Sequence, residues 1–188
     1  MRYSSYLLAG TLLAGFAFAG SPAQATPSGV CPVVGSSTDC GAIITFGPGG
    51  AISTVLTGSA PFDGIEDTSI GVVNNSGHSI STIHLVQTTT GTPIFGFDGD
   101  GIDTFGVPGN ASDTTGYGGS NAFFTNFSSG TSGDVNFITA IASGSSSYFS
   151  LEGPASLNFN PTPTPEPATL AILGLGLAGL AAVRRRKR

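Results

Sequence analysis

Between Thr26 and Pro165 every apolar stretch is short, and a turn residue breaks it before a long helix can form. Good helix formers are scarce there, while β-branched residues and Phe crowd the bursts, the composition of a pleated, half-buried surface. The bursts are "GAIITF" (41–46), "AISTVLT" (51–57), "TSIGVVNN" (68–75), "SISTIHLVQ" (79–87), "TPIFGF" (92–97), "NAFFTNF" (121–127), "DVNFITAI" (134–141) and "SSYFSLEG" (146–153). Gly-rich punctuation separates them: "GPGG" after the first, Ser76-Gly77 after the third, and a long loop region from Asp98 to Ser120. Short strands with frequent turns and no amphipathic helix predict an all-β domain, an antiparallel β-sandwich of jelly-roll-like or Ig-like form, with a small barrel as the alternative. Ser76-Gly77 reads as the turn of a hairpin, since Gly takes positive φ without a Cβ clash. In the second strand of that pair His84 is expected in or near the core.

Both ends of the chain read as sorting segments. Arg2, the run "LLAGTLLAGFAFAG" and the small-x-small exit Ala23-Gln24-Ala25 have the order of a secretory signal peptide over residues 1–25, cut after Ala25 by signal peptidase. At the other end "ATLAILGLGLAGLAAV" (168–183) carries no charge. As a helix it reaches about 24 Å at ~1.5 Å per residue, a little short of a hydrocarbon core of about 30 Å. Snorkelling Arg side chains make up part of the difference. The basic block 184–188 then holds that end of a transmembrane helix in the cytoplasm. Gly174, Gly176 and Gly179 match G-x-G-x-x-G in spacing only, with no strand before them. The Pro-rich "NPTPTPEP" before the helix reads as an extended stalk. The resulting division is 1–25, an exported domain 26–160, and a tail 161–188.

Charge is divided along the chain. All 6 Lys and Arg are Arg2 and residues 184–188, and of 11 Asp and Glu only Glu166 lies in the tail. The formal charge of -5 therefore conceals an acidic middle with no Lys or Arg at all. Phosphate backbones are bound by displacing counterions with Lys and Arg, so nucleic acid is excluded as a partner, and anionic lipid and phosphorylated substrates are disfavoured.

Few residues suggest chemistry. Cys31 and Cys40 are the 2 cysteines, and an exported chain permits a disulfide between them. Asp98, Asp100 and Asp103 lie on a Gly-rich stretch able to curl around calcium, which takes carboxylate and carbonyl oxygens. The spacing is not that of an EF-hand, and the same residues fill ordinary turns. No other cofactor is suggested. His78 and His84, about 20 Å apart on one straight strand, cannot share a metal. G-x-S-x-G, H-E-x-x-H and P-loop patterns do not occur, no catalytic residue stands out, and the domain is expected not to be an enzyme.

Pro165-Glu166-Pro167, the apolar run and "RRRKR" together resemble the PEP-CTERM sorting tail. "DGIEDTSIGVVNNSG", "IFGFDGDGI" and "YFSLEGP" further resemble a group of small PEP-CTERM proteins without an established activity. The resemblance implies recognition of Pro165, Glu166 and Pro167 by exosortase, a membrane-embedded protease and transpeptidase, a transient inner-membrane anchor, and association with exopolysaccharide production. The expected function is that of an exported cell-surface or extracellular-matrix protein. A carbohydrate- or ice-binding module is the alternative, and an extracellular hydrolase is the third reading. A flat face lined by Thr or aromatic residues would favour the second.

Overall fold

The computed structural model describes residues 29–88, 93–128, 130–153 and 159–163. The signal segment with Ala23 and Ala25, the motif Pro165, Glu166 and Pro167, the run 168–183 and the basic end lie outside the described residues. Among the described residues, no helix is long and apolar enough to cross a membrane.

Eight strands form: β1 (Ala42–Phe46), β2 (Ile52–Leu56), β3 (Thr68–Asn74), β4 (Ile80–Gln87), β5 (Ala122–Ser128), β6 (Ser132–Ile141), β7 (Ser145–Leu151) and β8 (Phe159–Pro163). One sheet has the order β2-β1-β3-β7 and the other β5-β6-β4-β8. All pairings are antiparallel except β1 with β3, which run parallel. The all-β sandwich is as the sequence predicts, and the parallel pair is the departure from a purely antiparallel one.

The inner faces follow the period-2 alternation of strands. Ala42, Ile44 and Phe46 of β1 and Ile70 and Val72 of β3 share one core cluster with Ile83 and Leu85 of β4 and Val135 and Phe137 of β6. Phe149 of β7 reaches Phe124 and Phe137, with ring centroids 6.1 and 6.5 Å away. A register shift between Ile80 and Thr82 turns Ile80 into the core as well.

The outer face of the first sheet is covered by the chain before β1. Cys31 and Cys40 are joined by a disulfide that packs with Val30, Ile43, Val73 and Tyr148. Ile43, Gly71 and Tyr148 lie side by side across β1, β3 and β7. A Cβ on Gly71 would stand 2.6 Å from Cys40 Sγ, so the bare glycine is what lets the bridge settle on the sheet. Opening this small ring frees the unfolded chain, which costs about 2–3 kcal/mol of stability. Replacing both cysteines by serine is expected to lower the urea midpoint accordingly, and reductant should do the same to the wild type.

Three local expectations are corrected. Ser76-Gly77 does not close a hairpin, because β3 and β4 belong to opposite sheets. The end of β3 is already bonded: Asn75 N donates to Phe46 O at 2.6 Å and Gly144 N donates to Asn74 O at 2.6 Å. The buried Asn74 amide then turns the corner, donating to His78 O and Ile141 O, both at 2.7 Å. "TPIFGF" is not a strand. Gly96 N donates to Pro93 O at 2.9 Å in a turn, Phe95 N makes a single hydrogen bond to Gly130 O at 2.8 Å, and the Ile94 and Phe95 side chains plug the core. The third correction concerns the stalk: Phe159–Pro163 is no free polyproline segment but the edge strand β8 against β4, with Pro161 opposite Leu85.

Candidate functional site

Two loops with the same Phe-Asp-Gly opening meet at one end of the sandwich. They form two walls of one acidic cluster. In the first, Ile65 N, Glu66 N and Asp67 N each donate to Asp63 Oδ1 at 3.0 Å, so one carboxylate winds the loop. Phe62 N closes it on Asp67 O at 2.8 Å. Asp67 is thereby delivered, buried, to the start of β3. In the second, Asp98 N donates to Glu152 Oε1 at 3.1 Å and ties the loop to the residue after β7.

Tyr117 stands between them. Ser150 N donates to its carbonyl at 2.8 Å, and its ring packs on Phe97 with centroids 4.7 Å apart. The Tyr117 hydroxyl is 2.5 Å from Glu152 Oε1, 2.7 Å from Asp100 Oδ1, 3.3 Å from Asp98 Oδ1 and 3.4 Å from both Asp67 oxygens. Asp67 and Glu152 are 1% and 3% exposed and form the floor, while Asp98 and Asp100 are exposed at the rim.

A tyrosine hydroxyl has one proton to donate, so it cannot satisfy four carboxylates. Hydrogen bonding with Asp98, and next with Tyr117, holds Asp100 below the usual carboxylate range. Burial pushes Asp67 up to about 9, helped by the charges of Glu152, Asp100 and Asp63. Burial also raises Glu152, and raises the Tyr117 hydroxyl itself. Burial thus favours the proton on Asp67 at the floor, while hydrogen bonding favours the ionised form of Asp100 at the rim. The cluster's donor oxygens form two triads, Asp63-Asp67-Asp100 and Asp98-Asp100-Glu152, each within 4.8 Å, an all-oxygen set of the kind a hard cation takes in place of protons.

Of the sequence candidates, Asp98 and Asp100 join this cluster and Asp103 does not. Asp103 sits in a one-turn 3-10 helix, Ile102–Phe105, its N–H bonded to Gly116 O at 3.0 Å. Burial, then the charge of Asp113, raises its pKa. Its carboxylate fills the space beside Gly109, where any Cβ would collide with it. Asp63, Asp67, Glu152 and Tyr117 are the members that sequence reasoning missed. The signal available was the density of acids in "DGIED" and the lone acid of "SLEG" in a chain without internal cations.

A second polar surface covers the outer face of the other sheet. Thr125, Asp134, His84 and Thr162 form one row across β5, β6, β4 and β8, and Phe123, Asn136 and Thr82 form the next. His84 is not in the core: Ile83 and Leu85 take the inward positions, leaving its side chain 40% exposed and its Nδ1 2.6 Å from Asp134 Oδ1. Asn126 Nδ2 donates to Asp134 Oδ2 at 2.8 Å, Thr82 Oγ1 to Asn136 Oδ1 at 3.0 Å, and Asn136 Nδ2 to Thr125 Oγ1 at 2.8 Å. His78 is exposed in the β3–β4 corner.

Residues 163–187 match the family model of the PEP-CTERM protein-sorting motif. No curated protein matches the chain, and no solved structure does. The motif is that of an exported protein that transits the membrane and is processed by exosortase.

Proposed function

We propose that the chain is a non-enzymatic β-sandwich module of the bacterial cell surface or extracellular matrix, delivered by a tail that serves as a temporary anchor. The observation that carries this reading is the junction: β8 ends at Pro163, where the match to the sorting motif begins. The basic end resists crossing the membrane, because each cation would lose its hydration. The apolar run then halts export with the sandwich outside. Glu166, flanked by Pro165 and Pro167, is the charge through which a protease would recognise the tail outside the membrane. Mass spectrometry of the mature protein is expected to show loss of the sequence from about Ala168 onward, with Glu166→Ala abolishing that loss. Recovery of intact chain still bearing Arg188 from cells with an active exosortase would refute it.

A second reading, of the same exported module, is favoured by the outer face of the β5-β6-β4-β8 sheet. Its side chains alternate donors and acceptors beside the aromatic ring of Phe123, with its one acid matched by a histidine. A neutral polysaccharide, whose hydroxyls both donate and accept, fits this chemistry. The anionic ligands that Lys and Arg would attract do not. His84→Ala combined with Asn136→Ala is expected to weaken retention on the producer's own neutral exopolysaccharide at least tenfold, with an unchanged melting temperature. Equal retention would remove this reading and leave the first intact.

A further inference from the structure

The four sheet edges of the sandwich are not alike. An unpaired edge presents a row of N–H and C=O groups to any passing strand, and proteins blunt such edges with proline, bulges, charges or covering loops. β8 carries Pro161 and Pro163. β5 is broken by a register shift between Thr125 and Ser128, where Asn126 takes a φ of 54°. β7 is covered by the Tyr117 segment, whose carbonyl accepts from both Ser150 N and Ser150 Oγ, and by Asn121, whose amide donates to Ser147 Oγ. Among the described residues, β2 has none of these. All five of its residues are exposed, with Ile52 at 37%, Val55 at 46% and Leu56 at 49%. No proline lies between Ala51 and Thr57, and no charged residue lies between Cys40 and Phe62.

We propose that β2 is the interface through which two copies of this chain pair edge to edge, antiparallel, making one continuous eight-stranded sheet. The backbone fixes which residues can bond outward, and centring the pairing on the five-residue strand selects the register. Gly47 N donates to Ala51 O and Thr57 N to Gly41 O, so the odd-numbered residues of this strand bond to β1. By antiparallel alternation the N–H and C=O groups of Ile52, Thr54 and Leu56 point away from the sheet. A two-fold axis at Thr54 then sets Thr54 opposite Thr54 of the second copy and Ile52 opposite its Leu56. This is the self-complementarity an isologous interface requires.

The side chains agree with that register. Ile52, Thr54 and Leu56 lie beside Phe46, Ile44 and Ala42, whose side chains face the core. Ile52 and Leu56 thus extend the apolar layer past its own sandwich, and the second copy meets each with the other. On the opposite side of the sheet Val55 meets Ser53. Charge selects the same place. Two identical acidic domains repel over most of their surfaces, and like charges set face to face oppose association. The uncharged stretch from Cys40 to Phe62 is where a second copy approaches against the least repulsion.

The test uses the full chain in a cell that exports it. Directly opposed residues of a hydrogen-bonded antiparallel pair have Cα atoms about 5.5 Å apart, within the range a disulfide spans. Thr54→Cys is therefore expected to give a cross-linked dimer on a non-reducing gel. Ser53→Cys should remain monomeric, since its opposite is Val55. Ser53→Cys with Val55→Cys should cross-link again. In purified protein, Thr54→Lys, which sets two like charges on the axis, should convert a sedimenting dimer to a folded monomer that still melts cooperatively. A wild type that sediments as a monomer at every concentration would overturn the proposal. So would Ser53→Cys linking as readily as Thr54→Cys, or Thr54→Cys linking to a different protein.

Discussion

Raising the pH from about 5 to about 9 is expected to lower the melting temperature of the metal-free protein by roughly 10 °C, and Asp67→Asn to flatten that profile. The sign comes from Asp67, whose pKa rises from 3.8 to about 9 on folding. Below the lower value both states hold the proton, and its contribution to stability is complete. Above it the unfolded chain releases the proton while the buried carboxyl keeps it, so stability falls by up to about 1.4 kcal/mol per pH unit. The fall ends once the folded carboxyl also ionises. Glu152, raised by the same burial, acts in the same direction. Asp100 is held low and acts the other way, losing its contribution as pH drops through the acid range. Stability should therefore peak at mildly acidic pH. Thermal melts with a chelator present, across this range, check it. A profile that rises from pH 5 to pH 9 would contradict a buried Asp67 carboxyl that keeps its proton on folding.

The same experiment with millimolar calcium addresses the cation. Protons and a hard cation compete for these oxygens, since carboxylates must be deprotonated to ligate. Calcium is expected to raise the melting temperature more at pH 9 than at pH 5, and Asp100→Asn, in both oxygen triads, to remove most of the rise. A ligand present at 100 times its dissociation constant stabilises by about 2.7 kcal/mol. An unchanged melt at pH 9 would leave the cluster with protons alone.

Much of this architecture is legible in the sequence, because burial and turn chemistry are local signals. β1, β2, β6 and β7 fall where alternating bursts and glycines put them. What escapes local reading depends on a third partner. The Ser76-Gly77 turn looks like a hairpin until Phe46 O and Gly144 N occupy the end of β3. "TPIFGF" has strand composition, yet its Ile94 and Phe95 side chains act as plugs. The proline-spaced "NPTP" of 160–163 reads as part of a stalk, but an edge strand tolerates proline where its missing N–H would face away from the neighbour. The acidic site shows the same division. Asp98 and Asp100 lie two residues apart and are legible in the sequence; Asp67, Tyr117 and Glu152 reach them only through folding. Asp103 shares their loop, but its 3-10 turn aims it at Gly109 instead.

Phe149→Ala is expected to cost about 3–5 kcal/mol, the usual range for emptying a buried aromatic site. Phe149 is fully buried and belongs to β7 of one sheet, yet its ring contacts are Phe124 of β5 and Phe137 of β6 in the other. It is therefore part of what holds the two sheets face to face, and truncation leaves a cavity that rigid strands on both sides cannot collapse into. Its neighbour Tyr148 points to the opposite side of β7, where it lies partly buried against the disulfide cluster, and Tyr148→Ala should cost much less. The comparison separates inter-sheet packing from cover on the outer face, since the two residues share a strand and a backbone environment. Urea denaturation reads it: the midpoint should fall far more for Phe149→Ala than for Tyr148→Ala, at similar slopes. Equal losses at the two positions would mean that the sheets are not held together through this aromatic contact.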